Sequence, residues 1–377
     1  MTSEPPTIAT RAAATPAART LPAAWYADTG HFAHEREAVF RNGWSCVGVL
    51  DDVAEPGSYL TADAGGQPVI VVRDTNGELR AFLNVCRHRS APLADGCGHA
   101  RALGCPYHGW VFRLDGSLSR AAGMEGVADF DPAQSGLFPV AVTTWARFVF
   151  VNPSGTAAPF DLGPLARALD PYPIGDYVLH VREEHRRAFN WKVAVENFSE
   201  NFHTPFVHPE LITAGWDYPL VTGGRICLAW DRPLDPRSDL ERALATARPG
   251  EPEWAGVVGA AGDSAEPYIA GVYATVFPNL LISIFPRYMS AIHVTPISAN
   301  LTLQRNYRFW TPEAGDAQRA AELAAAHVVA EQDLAICEAV QRGFDAGIDT
   351  DGWLSPEWEH GVAHVHTLLR EALAAAR

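Results

Sequence analysis

Asn84-Val85-Cys86-Arg87-His88-Arg89 and Cys105-Pro106-Tyr107-His108-Gly109-Trp110, with the 16 residues Arg89 to Gly104 between His88 and Cys105, decide how this chain is read. Each half supplies one thiolate and one imidazole. Two thiolates suit a ferric ion, and two neutral histidines on a second iron raise its potential and make it the electron acceptor of a 2Fe-2S cluster. The same four ligands fit a Cys2His2 zinc site. A structural zinc finger usually pairs its cysteines in one half and its histidines in the other. Here each half is mixed, which favours the cluster.

Outward from these motifs, the stretch from Trp44 to about Pro153 alternates short apolar runs with turn signals. Its strands are expected at Ser45 to Val49, Gly57 to Leu60, Pro68 to Arg73, Leu79 to Val85 and Phe148 to Val151, with a turn at Asp74-Thr75-Asn76-Gly77. This is a small all-β domain that presents both half-sites on loops. A helical stretch surrounds Lys192 to Phe202. Residues 231–266, rich in Pro, Gly, Ala and charge, read as a long excursion outside the core. Strands follow at Val272 to Phe277, Leu280 to Phe285, Met289 to Pro296 and Leu301 to Trp310, and their short connections imply antiparallel pairing. Helices are expected from Asp316 to Phe344 and from His360 to Ala376. The fold class is α+β, without an internal repeat.

A second set of metal-binding residues lies in Val195-Glu196-Asn197-Phe198-Ser199-Glu200-Asn201-Phe202-His203-Thr204-Pro205-Phe206-Val207-His208. Histidines five positions apart point roughly 140° apart on an ideal helix, so they share a metal only if the helix is distorted. Pro205 supplies a distortion, because it removes a donor and clashes with the carbonyl of Asn201. Iron that binds oxygen beside a substrate needs three ligands on one face, usually two histidines and a carboxylate. Asp333 is a candidate for the carboxylate. It shares a helical face with Val329, Ala330, Ile336, Cys337 and Val340, where an unpaired charge is costly unless a cation or several donors meet it. Buried amides could satisfy it as well as a metal.

Composition narrows the classes. The 377 residues are 47% hydrophobic, enough for one large or two ordinary domains. Lysine and arginine number 29 against 44 acids, and the net charge of -15 argues against nucleic acid or an anionic membrane as partner. No apolar run approaches the ~20 residues of a membrane span. Residues 1–22 read as a flexible leader rather than a signal peptide, which points to the cytoplasm. Six cysteines are too scattered for a disulfide framework. Cys46, Cys227 and Cys337 read as small buried hydrophobes, while Cys97 and His99 fall in a Gly-rich surface loop.

The two cluster motifs closely resemble those of the Rieske non-haem iron oxygenases, large (alpha) subunit, and the resemblance extends over nearly the whole chain. It implies a Rieske 2Fe-2S domain over 40–155 and a helix-grip (START-like) catalytic domain of antiparallel sheet and helices over 23–39 and 156–377. It implies a 2Fe-2S cluster on Cys86, His88, Cys105 and His108, and a mononuclear Fe(II) on His203, His208 and Asp333. In the family the position of Glu200, often Asp, bridges an iron histidine to a cluster histidine of a neighbouring subunit; here it would link His203 to His108 of another chain in a homotrimer. Electrons would come from NAD(P)H through a separate flavin/iron-sulfur reductase.

The segments Cys105 to Leu118 and Cys337 to Phe344 look most like the choline monooxygenase and carnitine or betaine oxygenase branch. That branch hydroxylates a carbon near a quaternary nitrogen, with O2 as co-substrate, and a quaternary cation prefers aromatic faces. By their closeness to the iron ligands, Phe202, Phe206, Trp216 and Tyr218 are the expected pocket residues. Three alternatives stay open: an aromatic-ring hydroxylating oxygenase, a Rieske electron carrier without a catalytic iron, and a zinc-stapled binding protein.

Overall fold

A computed structural model describes residues 18–155, 159–169, 172, 174–208, 216–217, 220–230, 232–233, 271–285, 287–348 and 352–376. The chain divides into two compact units, one of residues 30–161 with 371–377 and the other of residues 1–29 with 162–370. Most of the leader and nearly all of the 231–266 excursion lie outside the described residues. Among the described residues no helix is long and apolar enough to cross a membrane.

The unit of residues 30–161 is built on a seven-stranded antiparallel sheet. Its order is Ser45–Val49, Phe148–Asn152, Pro139–Trp145, Leu79–Leu83, Gln67–Arg73, Ser58–Ala64 and Cys97–His99. Strand alternation explains why both faces are covered. Val69 and Val71 pack with Val47, Leu60 and Val149 in one core, while Ile70 and Val72 face a second with Phe82, Leu103, Trp110 and Phe112. Cys86 and Cys105 are buried in that second core.

Residues 30–39 cluster with this unit rather than with the catalytic one expected to hold them. The reason is the tight turn Gly65-Gly66, with φ of 65° and 79°. Any Cβ on Gly65 would come within 2.6 Å of the Arg36 carbonyl, so the two segments pack backbone against backbone. Cys97–His99, expected in a surface loop, is an exposed edge strand paired with Ser58 to Leu60.

The other unit also carries a seven-stranded antiparallel sheet, ordered Val178–Arg187, Leu301–Trp310, Tyr288–Ser298, Leu280–Phe285, Val272–Val276, Ile226–Trp230 and Leu220–Gly223. Its helices include Trp191–Phe198, the single turn Thr204–Val207 and the 30-residue helix Asp316–Asp345. Residues 18–22 belong to this unit and not to a flexible leader: Ala18–Arg19 pairs with Trp353–Leu354, the Arg19 guanidinium stacks 3.2 Å from the Trp353 ring, and Leu21 is buried.

Register places chemically distinct residues in one row. Tyr273 pairs with Ser283, Ser283 with Ser290, Ser290 with Arg308, and Arg308 with Val181, so all five share a face.

Candidate metal centres

The two cysteine loops fold alike. Cys86 N–H donates to the Ala91 carbonyl at 2.8 Å and Ser90 N–H to the Cys86 carbonyl at 3.0 Å. Cys105 N–H donates to the Trp110 carbonyl at 2.7 Å and Gly109 N–H to the Cys105 carbonyl at 3.1 Å. Both loops pass through positive φ four residues after the cysteine, at Ser90 (55°) and Gly109 (72°). A non-glycine residue there costs roughly 1 kcal/mol or more, so closure of the Cys86 loop tolerates strain that Gly109 avoids in the other.

This closure turns amides toward the sulfurs. Burial pushes the Cys86 thiol up, while the His88 and Arg89 amides oppose it. The buried Cys105 thiol is held below its usual range because the Tyr107 and His108 amides and the Cys86 thiol outweigh desolvation. The His88 and His108 rings converge with centroids 4.6 Å apart, and His88 stacks on Trp110 at 5.2 Å. Two buried sulfurs fed by amide donors, beside two converging imidazoles, form a donor set that fits a cluster with distinct iron environments.

The second centre is assembled from three segments. Helix Trp191–Phe198 starts at Asn190, whose side chain accepts from Lys192 N–H at 3.0 Å. It ends four residues earlier than the sequence suggested. At Ser199 the hydroxyl bonds back to the Val195 carbonyl at 2.6 Å and meets Thr275 Oγ1 at 3.0 Å. Glu200 then takes the amides of Phe202 and His203. Pro205 therefore opens a new turn, Thr204–Val207, instead of kinking the first helix. His203 and His208 flank that turn, and their rings sit 5.4 Å apart at 75°.

The long helix brings Asp333 against both histidines. Its Oδ1 lies 2.9 Å from His208 Nε2 and 3.5 Å from His203 Nε2, and it also accepts from Asn197 Nδ2 at 2.9 Å. One donor atom from each of His203, His208 and Asp333 falls within 4.8 Å of the others. The outer nitrogens are held: Glu200 Oε1 lies 2.5 Å from His203 Nδ1, and Gln332 Oε1 lies 2.7 Å from His208 Nδ1. These contacts anchor both Nδ1 atoms and leave both Nε2 atoms facing Asp333.

Electrostatics agree with a cation site. Burial alone would push His203 down, yet the Asp333 and Glu200 carboxylates overcome it and bring its pKa up to about 9. Asp333 behaves inversely: burial would raise it, while His203, His208 and Asn197 hold it far below the usual carboxylate range. Two carboxylates and two imidazoles that demand positive charge, with three donor atoms converging, fit the two-histidine, one-carboxylate set of a non-haem Fe(II).

The triad opens on a cavity of about 140 Å³ walled by Asn197, Phe198, Asn201, Tyr273, Ser283 and Val329. Phe202 and Phe206 do not line it. Phe202 stacks on Trp358 at 6.1 Å, and Phe206 is 56% exposed, because the chain reverses at Ser199 and the new turn directs both rings away. Tyr218 and the Trp216 side chain lie outside the described residues. The face of the long helix also differs from the expected one: Ile336 and Val340 are exposed, and from half-buried Asp333 the inward line continues to buried Cys337 and Gln341. Cys46, Cys227 and Cys337 are buried as expected.

The sequence did not single out Asn197 or Gln332, although Gln332 adjoins Asp333 and Asn197 lies in the same segment as the two histidines. Tyr273 and Ser283 carried no local signal, since only strand register brings them to the cavity.

Comparison with known proteins bears on both centres. The model of the ring hydroxylating alpha subunit (catalytic domain) matches residues 174–375, and that of the Rieske [2Fe-2S] domain matches residues 43–131. The carnitine monooxygenase oxygenase subunit of Escherichia coli is 31% identical, over 93% of this chain and 93% of that protein. The chloroplastic choline monooxygenase of Spinacia oleracea is 28% identical, over 94% of this chain and 79% of that protein. Among solved structures, a quaternary ammonium Rieske monooxygenase in complex with L-carnitine superposes with a TM-score of 0.78 at 28% identity, covering 94% of this chain and 96% of that one. Naphthalene 1,2-dioxygenase, at 20% identity and a TM-score of 0.74, shares the fold.

Proposed function

Because the chain belongs to the family of ring hydroxylating alpha subunits, with a Rieske domain in the same polypeptide, we propose that it hydroxylates a small quaternary-ammonium or N-methyl compound. It is the oxygenase component of a Rieske non-haem iron enzyme, an oxidoreductase that uses a 2Fe-2S cluster, a mononuclear iron and reductase-supplied electrons. The observation that carries the substrate reading is the pair Phe198 and Tyr273, rings 6.5 Å apart, both walling the cavity beside the triad. An onium group cannot donate a strong hydrogen bond and is attracted to aromatic faces. Relatives named for carnitine and choline support the same choice.

We assign Cys86, His88, Cys105 and His108 to the cluster and His203, His208 and Asp333 to the iron. Convergence of their donor atoms and the motif spacing support this. Iron bound there supplies the activation of dioxygen and the insertion of hydroxyl into a C–H bond. The protein's own groups prepare the place. Glu200 and Gln332 anchor the two imidazoles at Nδ1, Asn197 holds Asp333 in the ionised form, and Phe198 and Tyr273 orient a cation and exclude water. If the attacked carbon bears nitrogen, the hydroxylated product collapses by cleavage of that C–N bond to an aldehyde, the freed amine and a proton; the amine is demethylated where the carbon is an N-methyl.

We further place the unit built on residues 30–161 as the Rieske domain, wider than the 40–155 expected, and the unit of residues 1–29 with 162–370 as the catalytic domain. We place three chains in a trimer in which His108 of one subunit approaches Glu200 of the next, and a flavin/iron-sulfur reductase as electron source in the cytoplasm. One solved relative described for inter-subunit electron transfer supports the trimer route.

The test is turnover with a reductase, NAD(P)H and O2 on carnitine, choline and naphthalene in parallel. Substrate-dependent oxygen uptake with an aldehyde product from an onium compound is expected. Uptake with naphthalene alone would establish aromatic-ring hydroxylation instead. An electron carrier would hold two irons per chain, and the oxygenase holds three.

A further inference from the structure

We propose that Arg308 forms an anion subsite that receives the carboxylate of a zwitterionic onium substrate, which deepens the substrate reading above and rests on it. Arg308 is 2% exposed, and among the described residues its guanidinium has no ion pair; its Nε has no hydrogen-bond partner, and one Nη donates only weakly to the Tyr307 carbonyl at 3.3 Å. A buried, unpaired cation is expensive unless something anionic meets it.

Register puts this cation on the same sheet face as two residues of the catalytic cavity wall. Arg308 pairs with Ser290, Ser290 with Ser283 and Ser283 with Tyr273, and the last two line the cavity beside His203 and Asp333. Two cross-strand steps separate Ser283 from Arg308, on the order of 10 Å. An aromatic wall follows the same path. Tyr273 meets Phe285 at 5.9 Å, Phe285 stacks on Tyr288 at 5.8 Å, and Tyr288 meets Trp310 at 5.1 Å. Rings at the metal end suit the onium group, and the arginine at the far end suits the anion.

Of the acids near this end, Glu322 accepts from Trp310 Nε1 at 2.6 Å and from Gln318 Nε2 at 3.0 Å, and Glu183 Oε1 meets His327 at 2.8 Å while its Oε2 is buried without a hydrogen-bond partner. Neither lies within ion-pair distance of Arg308. Burial pushes the Tyr288 phenol up; the Arg308 charge opposes it and the Glu322 and Glu183 charges add to it, so the cation and both acids lie near the aromatic wall. A cationic alcohol such as choline would leave Arg308 unmet, whereas gamma-butyrobetaine carries a carboxylate for it to receive.

Calorimetric binding to the anaerobic holoenzyme tests this with gamma-butyrobetaine, its methyl ester and choline. The parent protein should bind gamma-butyrobetaine at least about ten-fold more tightly than the ester, as expected for loss of one charge-assisted contact. Arg308→Gln should lose that preference while binding choline within two-fold of the parent, and Arg308→Lys should restore part of it. Equal binding of acid and ester by the parent overturns the proposal without any variant, as does a parallel loss for all three ligands in Arg308→Gln. It would then be a structural cation solvated by ordered water only. Failure of all three compounds to bind the parent would instead sink the onium reading itself.

Discussion

Replacing Gln341 with methionine should loosen the iron site from two helical turns away. Gln341 is 1% exposed and Asn190 is fully buried, and together they clasp the two helices that meet at the triad. Gln341 Oε1 accepts from Asn190 N–H at 2.8 Å, and its Nε2 donates to the Tyr26 carbonyl at 3.1 Å and to Asp345 Oδ1 at 2.9 Å. The opposite end is closed by Asn197 on Asp333 at 2.9 Å. From Asp333 to Gln341 is about 12 Å of helix and from Asn190 to Asn197 about 10 Å, so two clasps of matched spacing set one antiparallel register.

Methionine keeps the length of the side chain and removes both polar atoms. It leaves the Asn190 amide buried without its partner and removes one donor from the Tyr26 carbonyl, which keeps the 3.4 Å contact from Asn190 Nδ2. The loss for one orphaned buried amide is about 1–3 kcal/mol. Part of it should appear at the metal, because Asp333 and the histidine segment are no longer held at one spacing. Denaturant unfolding of the catalytic unit and iron retention under a chelator are the assays. Gln341→Met should unfold earlier and lose one of three irons faster, with the cluster spectrum unchanged. Parent-like unfolding and iron retention would refute the clasp.

Asp333→Ala should lower iron from three to two per chain and abolish hydroxylation, while the visible spectrum of the cluster persists; full iron content would remove Asp333 from the site. Gln332→Leu frees the His208 ring and should weaken Fe(II) affinity by roughly 10–100-fold, read by competition with a chelator. In the residues 30–161 unit, burial raises Asp74, but Arg80 and the Glu78 and Asn76 amides outweigh it and hold the carboxyl below its usual range. A depressed folded value gives stability that is complete above about pH 4 and lost as pH falls through the folded pKa. Asp74→Asn should therefore flatten the acid limb of the stability curve, and an unchanged limb would exclude Asp74 as its source.

Much of this fold was written in local pattern. The strands Leu280–Phe285 and Leu301–Trp310 and the helix Asp316–Asp345 coincide with or closely match their expected spans, since apolar alternation and Ala-rich helical sequence are properties of neighbouring residues. Val178–Arg187 was not foreseen. It is an edge strand with exposure alternating along its length, but Arg182, Glu183, Glu184, His185 and Arg186 leave it without an apolar face to recognise. Charge on an edge strand blocks further pairing, and the same charge hides the strand from hydrophobic periodicity.

The contrast is sharper at the sites. Cysteines and histidines announce themselves because a cluster needs soft or imidazole ligands within one tight loop, and the closure at Cys86 repeats at Cys105 with Ser90 and Gly109 in equivalent places. The walls of the cavity obey no such local requirement. Phe202 and Phe206 were near the ligands in sequence and turn away, whereas Tyr273 and Ser283 lie some 70 residues or more downstream and arrive through strand pairing. On the proposed assignment, the metal ligands follow from spacing and the substrate contacts from register. A one-residue slip in the pairing of Val272–Val276 with Leu280–Phe285 would turn Tyr273 to the other face while leaving all three triad donors in place. Such a protein should keep its irons and lose its discrimination among onium compounds.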